Sequence, residues 1–302
     1  MTDQDFPSVS VAIITYNQRE FLRECIDSIL NQDYSNFEIV VADDASTDGT
    51  QDMLREYDRK HPGKFVLKLG EKNQGITANS NAAHFACKGK YICWMGGDDL
   101  MLPGKLSQQT AFMEKAPEYV ICYHDLEVFE SPSQRKLRLF SEKAKPRTGS
   151  LRELLRYGCF MGACSVMVRR SSAPKSGFDM RVSIASDWLY YVRTTQSGGR
   201  IGYLPSVLGK YRRHASNVTR QPSEQLMERS AQQDHFISAA IMLSEFPEYT
   251  QDIRSRIADL LYSSRGFSEK NKAKGYVCAA LNIKPSLLNF ARFLLFVFRI
   301  RQ

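Results

Sequence analysis

The 302-residue chain has no apolar run of about 18 residues or more, so it carries nothing built like a membrane-spanning helix or pore. It starts Met1-Thr2-Asp3-Gln4-Asp5, without the basic start and apolar stretch of a secretory signal, which predicts a cytoplasmic protein. Seven cysteines (Cys25, Cys87, Cys93, Cys122, Cys159, Cys164 and Cys278) lie mostly in apolar segments and show no C-x-x-C spacing. That pattern argues against a zinc site or redox pair and predicts buried free thiols. No G-x-G-x-x-G follows the first strand-like run, against a dinucleotide-dependent dehydrogenase.

What is present is a soluble, globular composition: 43% hydrophobic and 25% charged residues, enough for one large domain and an appendage. The formal charge of +8 implies affinity for something anionic: nucleic acid, anionic lipid or a phosphorylated substrate. Basic residues gather at Arg135, Lys136, Arg138, Lys143, Lys145 and Arg147, and again at Arg292, Arg299 and Arg301. No motif that reads DNA or RNA accompanies them, so a nucleic-acid role would rest on net charge alone.

Acids stand at the ends of two apolar runs. Tyr91-Ile92-Cys93-Trp94-Met95 stops at Gly96-Gly97-Asp98-Asp99, so a buried strand delivers two adjacent carboxylates onto a loop. Phe37 to Ala42 likewise runs into Asp43-Asp44-Ala45-Ser46-Thr47-Asp48-Gly49-Thr50. The carboxyl ends of parallel strands open into a crevice, so the two acidic ends predict one shared cleft. Hard cations such as Mg²⁺ or Mn²⁺ take one or two protein carboxylates and leave other positions to water and phosphates, which suits Asp98-Asp99.

Along the chain the periodicity predicts alternating strands and helices: strands at 9–15, 39–42 and 65–69, helices at 19–31, 50–60 and 77–87. The strand ending at the Asp pair follows, then a helix at 105–115, a strand at 119–124 and a hairpin within 127–139. The fold class is α/β.

Val9-Ser10-Val11-Ala12-Ile13-Ile14-Thr15-Tyr16-Asn17, then Asp43-Asp44-Ala45-Ser46-Thr47-Asp48, then Gly97-Asp98-Asp99 resemble, in order, the motifs of family 2 glycosyltransferases. The resemblance covers roughly residues 7–218. It implies the GT-A fold, a Rossmann-like, mostly parallel central sheet flanked by helices. Residues 1–218 would be the catalytic domain, with a nucleotide-binding half before an acceptor-binding half, and 219–302 a C-terminal helical region. It also implies that Thr15, Tyr16 and Asn17 contact the nucleoside and that Asp44, beside Asp43, accepts the uracil imide hydrogen. Gly97 would let the backbone approach the sugar nucleotide, Asp98 would serve ribose or the metal shell, and Asp99 would coordinate Mg²⁺ or Mn²⁺. Gly96 departs from the family, many of whose members have Asp there.

Further on, Ile184-Ala185-Ser186-Asp187-Trp188 is similar to the family's Glu-Asp element at a helix start, with Ser186 replacing Glu and Asp187 at the general-base position. Cys159 to Ser165 resembles the acceptor-side segment. Lys210-Tyr211-Arg212-Arg213-His214 resembles the terminal Tyr-Arg-x-His segment, where His214 would meet metal or phosphate and Arg212 or Arg213 the phosphate. The Gln-x-x-Arg-Trp signature of processive synthases is absent, which implies single addition.

The expected activity is therefore inverting transfer of one sugar from a nucleotide sugar, a UDP-sugar, to a glycan acceptor. A polyprenyl-diphosphate-linked acceptor would place the protein in bacterial surface polysaccharide synthesis (O-antigen, capsule or lipooligosaccharide), at the inner face of the cytoplasmic membrane. Residues 286–302, rich in Leu and Phe with Arg292, Arg299 and Arg301, read as an interfacial membrane helix or a buried terminal one. The alternatives are a transferase acting on a soluble or protein acceptor and, because Gly96 and Ser186 depart from the family pattern, a silent carbohydrate- or nucleotide-binding module.

Overall fold

A computed structural model describes residues 8–215, 217, 224–264, 270–286, 289 and 292. The first strand, β1 (Val9–Thr15), is apolar on both faces and buried along nearly its whole length, as expected of a central parallel strand covered on both sides. The helix after it, α1 (Arg19–Leu30), buries Leu22, Cys25, Ile26 and Ile29, one stripe at helical spacing. Each such side chain contributes roughly 1.5–3 kcal/mol when fully buried. Then come β2 (Phe37–Asp43), α2 (Thr50–Lys60), β3 (Phe65–Leu69), α3 (Ile76–Ala86), β4 (Tyr91–Gly96), β5 (Leu100–Met101) and α4 (Lys105–Lys115).

The second half holds β6 (Tyr119–Glu130), β7 (Lys136–Leu139), α5 (Leu151–Tyr157), β8 (Met167–Arg169), α6 (Asp187–Thr195) and β9 (Arg200–Arg213), followed by α7 (Glu224–Glu245), α8 (Thr250–Ser264) and α9 (Lys270–Ile283). A reciprocal capping box starts α5: Ser150 caps the first turn while Glu153 accepts from the Ser150 N–H.

The sheet order is β3-β2-β1-β4-β8-β6-β9-β5, with β7 paired to β6. The first four strands are parallel in matched register, Thr15 opposite Asp43 and Ile14 opposite Gly96. Their carboxyl ends therefore lie on one edge, and the chain order reverses around β1, where open α/β sheets bind ligands. Strand β8 runs antiparallel between β4 and β6, and β9 parallel to β6.

Two expectations are corrected here. The strand expected at 119–124 and the first arm of the hairpin are one strand, β6, continuous through Asp125 because bulges against β9 absorb the register change. The regular alternation of strand and helix also ends after α4, where β8 and β9 enter the sheet from segments with no clear strand period.

Apolar clusters cover both sheet faces, one around Trp94, Trp188, Tyr190 and Leu154, the other around Ile13, Ile26, Leu106 and Met113. All seven cysteines are free, five of them buried. The C-terminal helices pack onto this body, α8 on α5 and α7 on α6. Among the described residues no helix is long and apolar enough to cross a membrane.

Most of the segment expected at a membrane interface, 286–302, lies outside the described residues. Arg292, expected to meet lipid headgroups, instead donates to Asp259 at 2.8 Å.

Asn79 of α3 is buried and donates to the carbonyls of Thr15 (3.3 Å) and Ala42 (3.0 Å), tying together the ends of β1 and β2. Asn79→Ala leaves buried carbonyls short of a donor and is expected to cost about 1–3 kcal/mol in urea unfolding. Unchanged stability would mean that these carbonyls find other partners.

Candidate active site

The two acidic loops and the loop after β1 are stitched into one surface. Asp43 and Asp44 are both buried. Asp43 accepts from the Ser46 N–H, the Ser46 hydroxyl and Gln51, so its carboxylate shapes its own loop. Asp44 accepts from the N–H groups of Gln74 (2.7 Å) and Gly75 (2.8 Å) and so fixes the start of α3. Asn17, at φ +51, receives Thr47 N–H on its side chain while its own N–H reaches Ser46 Oγ. It locks two loops together and leaves the capping of α1 to Asp48, which accepts from Arg19 N–H. Tyr16 beside it is 46% exposed, an open aromatic face at the cleft rim. A cavity of about 340 Å³ opens beside Asp44, lined also by Gly70, Gln74, Ala78 and Asn79.

The end of β4 meets the end of β9. Strand β5 pairs with β9, Leu100 opposite Lys210, and this register puts the Arg212 N–H on Asp99 Oδ1 at 2.9 Å. The Arg212 guanidinium donates to the Asp98 carbonyl (2.7 Å), Ser131 Oγ (3.3 Å) and Glu24 (2.5 Å), between the rings of Phe21 and Phe129. Its side chain is fully buried. The expectation that Arg212 contacts the nucleotide sugar is thus not matched by its placement: its donors hold the Asp98-Asp99 loop. Asp98 Oδ2 lies 3.0 Å from His214 Nε2 and accepts from Asn217 at 3.0 Å. The His214 ring and the Asp98 carboxylate thus stand side by side just beyond the end of β9.

Burial pushes the Asp99 carboxyl well above the ordinary range, and the Asp98 charge pushes it the same way. The Arg212 N–H, the Cys164 thiol and the buried Lys105 ammonium oppose this. Lys105 sits behind the pair, donating to the Cys164 carbonyl and approaching Met95 Sδ at 3.4 Å.

A side chain at 96 or 97 would crowd the carboxylates and Thr15 as they now stand. A Cβ on Gly96 would lie 2.8 Å from Asp98 Oδ1 and 3.1 Å from Asp99 Oδ2, and one on Gly97 would lie 2.9 Å from Thr15 Oγ1, a buried hydroxyl without a partner. The two carboxylates thus converge over the backbone of Gly96. Among the described residues no three His, Cys, Asp or Glu side chains are arranged to hold a metal ion. The donor set is therefore a pair of carboxylate oxygens, and it fits a hard cation whose other ligands come from water and phosphate.

Asp187 begins α6. Its Oδ1 accepts from Trp188 N–H (2.8 Å), and Cys159 Sγ lies 3.5 Å from its Oδ2. Ser186 does not cap the helix; its Oγ lies 2.9 Å from Thr77 Oγ1 of α3. The preceding turn is gripped by Asp234 of α7, which accepts from the N–H groups of Ser183, Ile184 and Ala185. Helix α3 therefore touches both sides of the cleft, Asp44 through Gly75 and the Asp187 turn through Thr77. Glu24, Asn79, Lys105 and Asp234 were missed in the sequence. Only Asp234 left a signal there, an acid next to His235 in an otherwise mixed helix.

The profile described as "Glycosyl transferase family 2" matches residues 10–176. The chain belongs to that family. It is 33% identical over 214 residues to an uncharacterized protein of Mycobacterium tuberculosis, covering 70% of this chain and 60% of that one. A Bacillus subtilis protein named for teichuronic acid biosynthesis, TuaG, is 35% identical over 107 residues, 35% of this chain and 42% of its own.

Among solved structures, S. aureus TarS 1–349 in complex with UDP-GlcNAc superposes with a TM-score of 0.66 at 18% identity, covering 96% of this glycosyltransferase and 79% of TarS. The mannosyltransferase PcManGT of Pyrobaculum calidifontis, in complex with GDP-Man and Mn²⁺, gives 0.63 at 19% identity, covering 98% and 81%. The fold of this family 2 glycosyltransferase is GT-A.

The raised Asp99 pKa has a consequence for stability. A carboxyl that titrates higher in the fold than its unfolded value of about 3.9 favours folding below that pH, and the benefit disappears as pH rises through the folded value. In chelator, the melting temperature of the wild type should therefore fall relative to Asp99→Asn as pH rises above about 4. Parallel curves for the two proteins would contradict this.

Proposed function

We propose that this glycosyltransferase moves a single sugar from a UDP-sugar to a glycan acceptor with inversion at the anomeric carbon. The observation that carries the reading is the convergence of Asp98 and Asp99 over Gly96, on the same sheet edge as Tyr16 and Asp44 and joined through α3 to Asp187. The nucleoside would lie against Thr15, Tyr16 and Asn17. The free lone pairs of Asp44 would accept the base N–H, since an ionised carboxylate is a pure acceptor. Asp98 and Asp99 would hold Mg²⁺ or Mn²⁺, which supplies charge neutralisation for a departing diphosphate.

Asp187 would act as general base. Its carboxylate takes the acceptor hydroxyl's proton as that oxygen bonds to the anomeric carbon, and the bond from that carbon to the diphosphate breaks on the opposite face. TuaG's name supports a role in bacterial surface polysaccharide synthesis. We read the acceptor as polyprenyl-diphosphate-linked and the protein as working at the inner face of the cytoplasmic membrane. We read 1–218 as the catalytic domain and 219–302 as a helical region that leans on it.

The test is a screen of nucleotide sugars with Mn²⁺ and short lipid-linked or free glycans, following release of the nucleoside diphosphate and the product anomer by NMR. Asp187→Asn should lower kcat by about 10²–10⁴-fold with the fold intact. Retention of anomeric configuration, or full turnover in the variant, would remove Asp187 from the base position.

A further inference from the structure

Helix α6 is covered by the C-terminal helices at the point where Asp187 stands. Trp188, fully buried, is met by the His235 ring of α7 at 5.8 Å and by the Arg256 guanidinium of α8 at 5.6 Å. Arg256 also reaches the backbone before Cys159, the residue whose thiol touches Asp187. Gly158 has φ +77, and a Cβ there would lie 2.5 Å from Arg256 Nη2, so only glycine admits the guanidinium at this place. Asp187, Cys159, His235 and Arg256 are each half-buried, so none is sealed wholly inside the core.

Arg256 differs from its neighbours. Arg152 is paired with Asp252, and Arg156 and Arg292 share Asp259. Among the described residues no carboxylate lies within ion-pair distance of Arg256, and its buried Nε has no acceptor. Buried donors in folded proteins are almost always matched, and a guanidinium taken from water needs an anion. Both facts leave the guanidinium with a donor to spare for an oxygen acceptor, even with the Asp259 charge acting on it from beyond ion-pair distance. Net charge points the same way: an anionic acceptor approaching an ionised Asp187 is repelled unless a cation stands beside it.

We propose that Arg256, assisted by His235, forms an oxyanion subsite of the acceptor, taking a phosphate or carboxylate oxygen close to the hydroxyl that Asp187 deprotonates. The inference rests on Asp187 being the base. Arg256 carries the charge, and the imidazole, held below its ordinary pKa by burial, adds a neutral hydrogen bond. The C-terminal helices thereby gain a part in substrate selection: they would favour phosphorylated or uronate-bearing glycans over neutral ones.

Trp188 reports on this place directly, because Trp94 is the only other tryptophan and Trp94→Phe silences it. Inorganic phosphate and glucuronate are titrated separately into the full chain carrying Trp94→Phe, in chelator, with thermal melts confirming the fold. A saturable change in Trp188 fluorescence is expected. It should weaken about tenfold or more with Arg256→Gln, the loss of a charge-assisted hydrogen bond, and less with Arg256→Lys. Asp187→Asn should strengthen it by removing repulsion, a response that a merely structural arginine would not give.

If Arg256→Gln does not fold, His235→Gln and Arg256→Lys carry the comparison. The stronger of the two anions identifies a phosphate-bearing or a uronate-bearing acceptor. A silent wild type, or equal titrations in wild type and variants, overturns the subsite. Absence of sugar transfer with every donor, while the anion response persists, overturns the transferase reading instead.

Discussion

Two carboxylates set side by side at the end of a buried strand repel each other and lose their water, and the surroundings of Asp98 and Asp99 are organised by that electrostatic load. Strand β9 brings the Arg212 N–H to Asp99 and the Arg212 guanidinium to the Asp98 carbonyl. His214 and Asn217 share Asp98 Oδ2, and Lys105 stands behind, fully buried. These contacts leave Asp99 still raised in pKa, so a divalent cation would find the pair underneutralised. The load also explains why a fully buried arginine, flanked by Phe21 and Phe129, is kept at the core of a cleft.

The Asp44 loop and the Asp187 turn are joined through short contacts. Asp44 grips Gln74 and Gly75 just ahead of α3, while Thr77, two residues on, grips the turn before Asp187. Asp234 fastens the same turn from α7. The Asp44 loop and the turn before Asp187 are thus held by one and the same helix. The helices after β9 pack against the turn and helix that carry Asp187.

The central strands and their acidic ends were legible because buried parallel strands are apolar throughout and stop at turn formers, as β1, β2 and β4 do. Asp187 was legible as part of a resemblance to family 2 motifs. The setting of Arg212 was not: the resemblance pointed its guanidinium at phosphate, whereas its burial against the Asp98-Asp99 loop depends on the pairing of β9 with β5, over a hundred residues earlier. The contact of His214 with Asp98 was hidden in the same way, since the two are distant in sequence. Strand β8 is too short for periodicity to reveal, and Asp234 and Arg256 gain meaning only when α7 and α8 are laid over α6.

The central claim is that Asp98 and Asp99 form a cation-dependent diphosphate site facing Asp44 and Tyr16. Calorimetric titration of UDP into the full chain, with Mn²⁺ and then with chelator, tests it most directly. The account predicts binding that is strengthened by Mn²⁺ in the wild type and insensitive to Mn²⁺ in Asp99→Asn. Equal affinity for UDP with and without the cation in the wild type would contradict it.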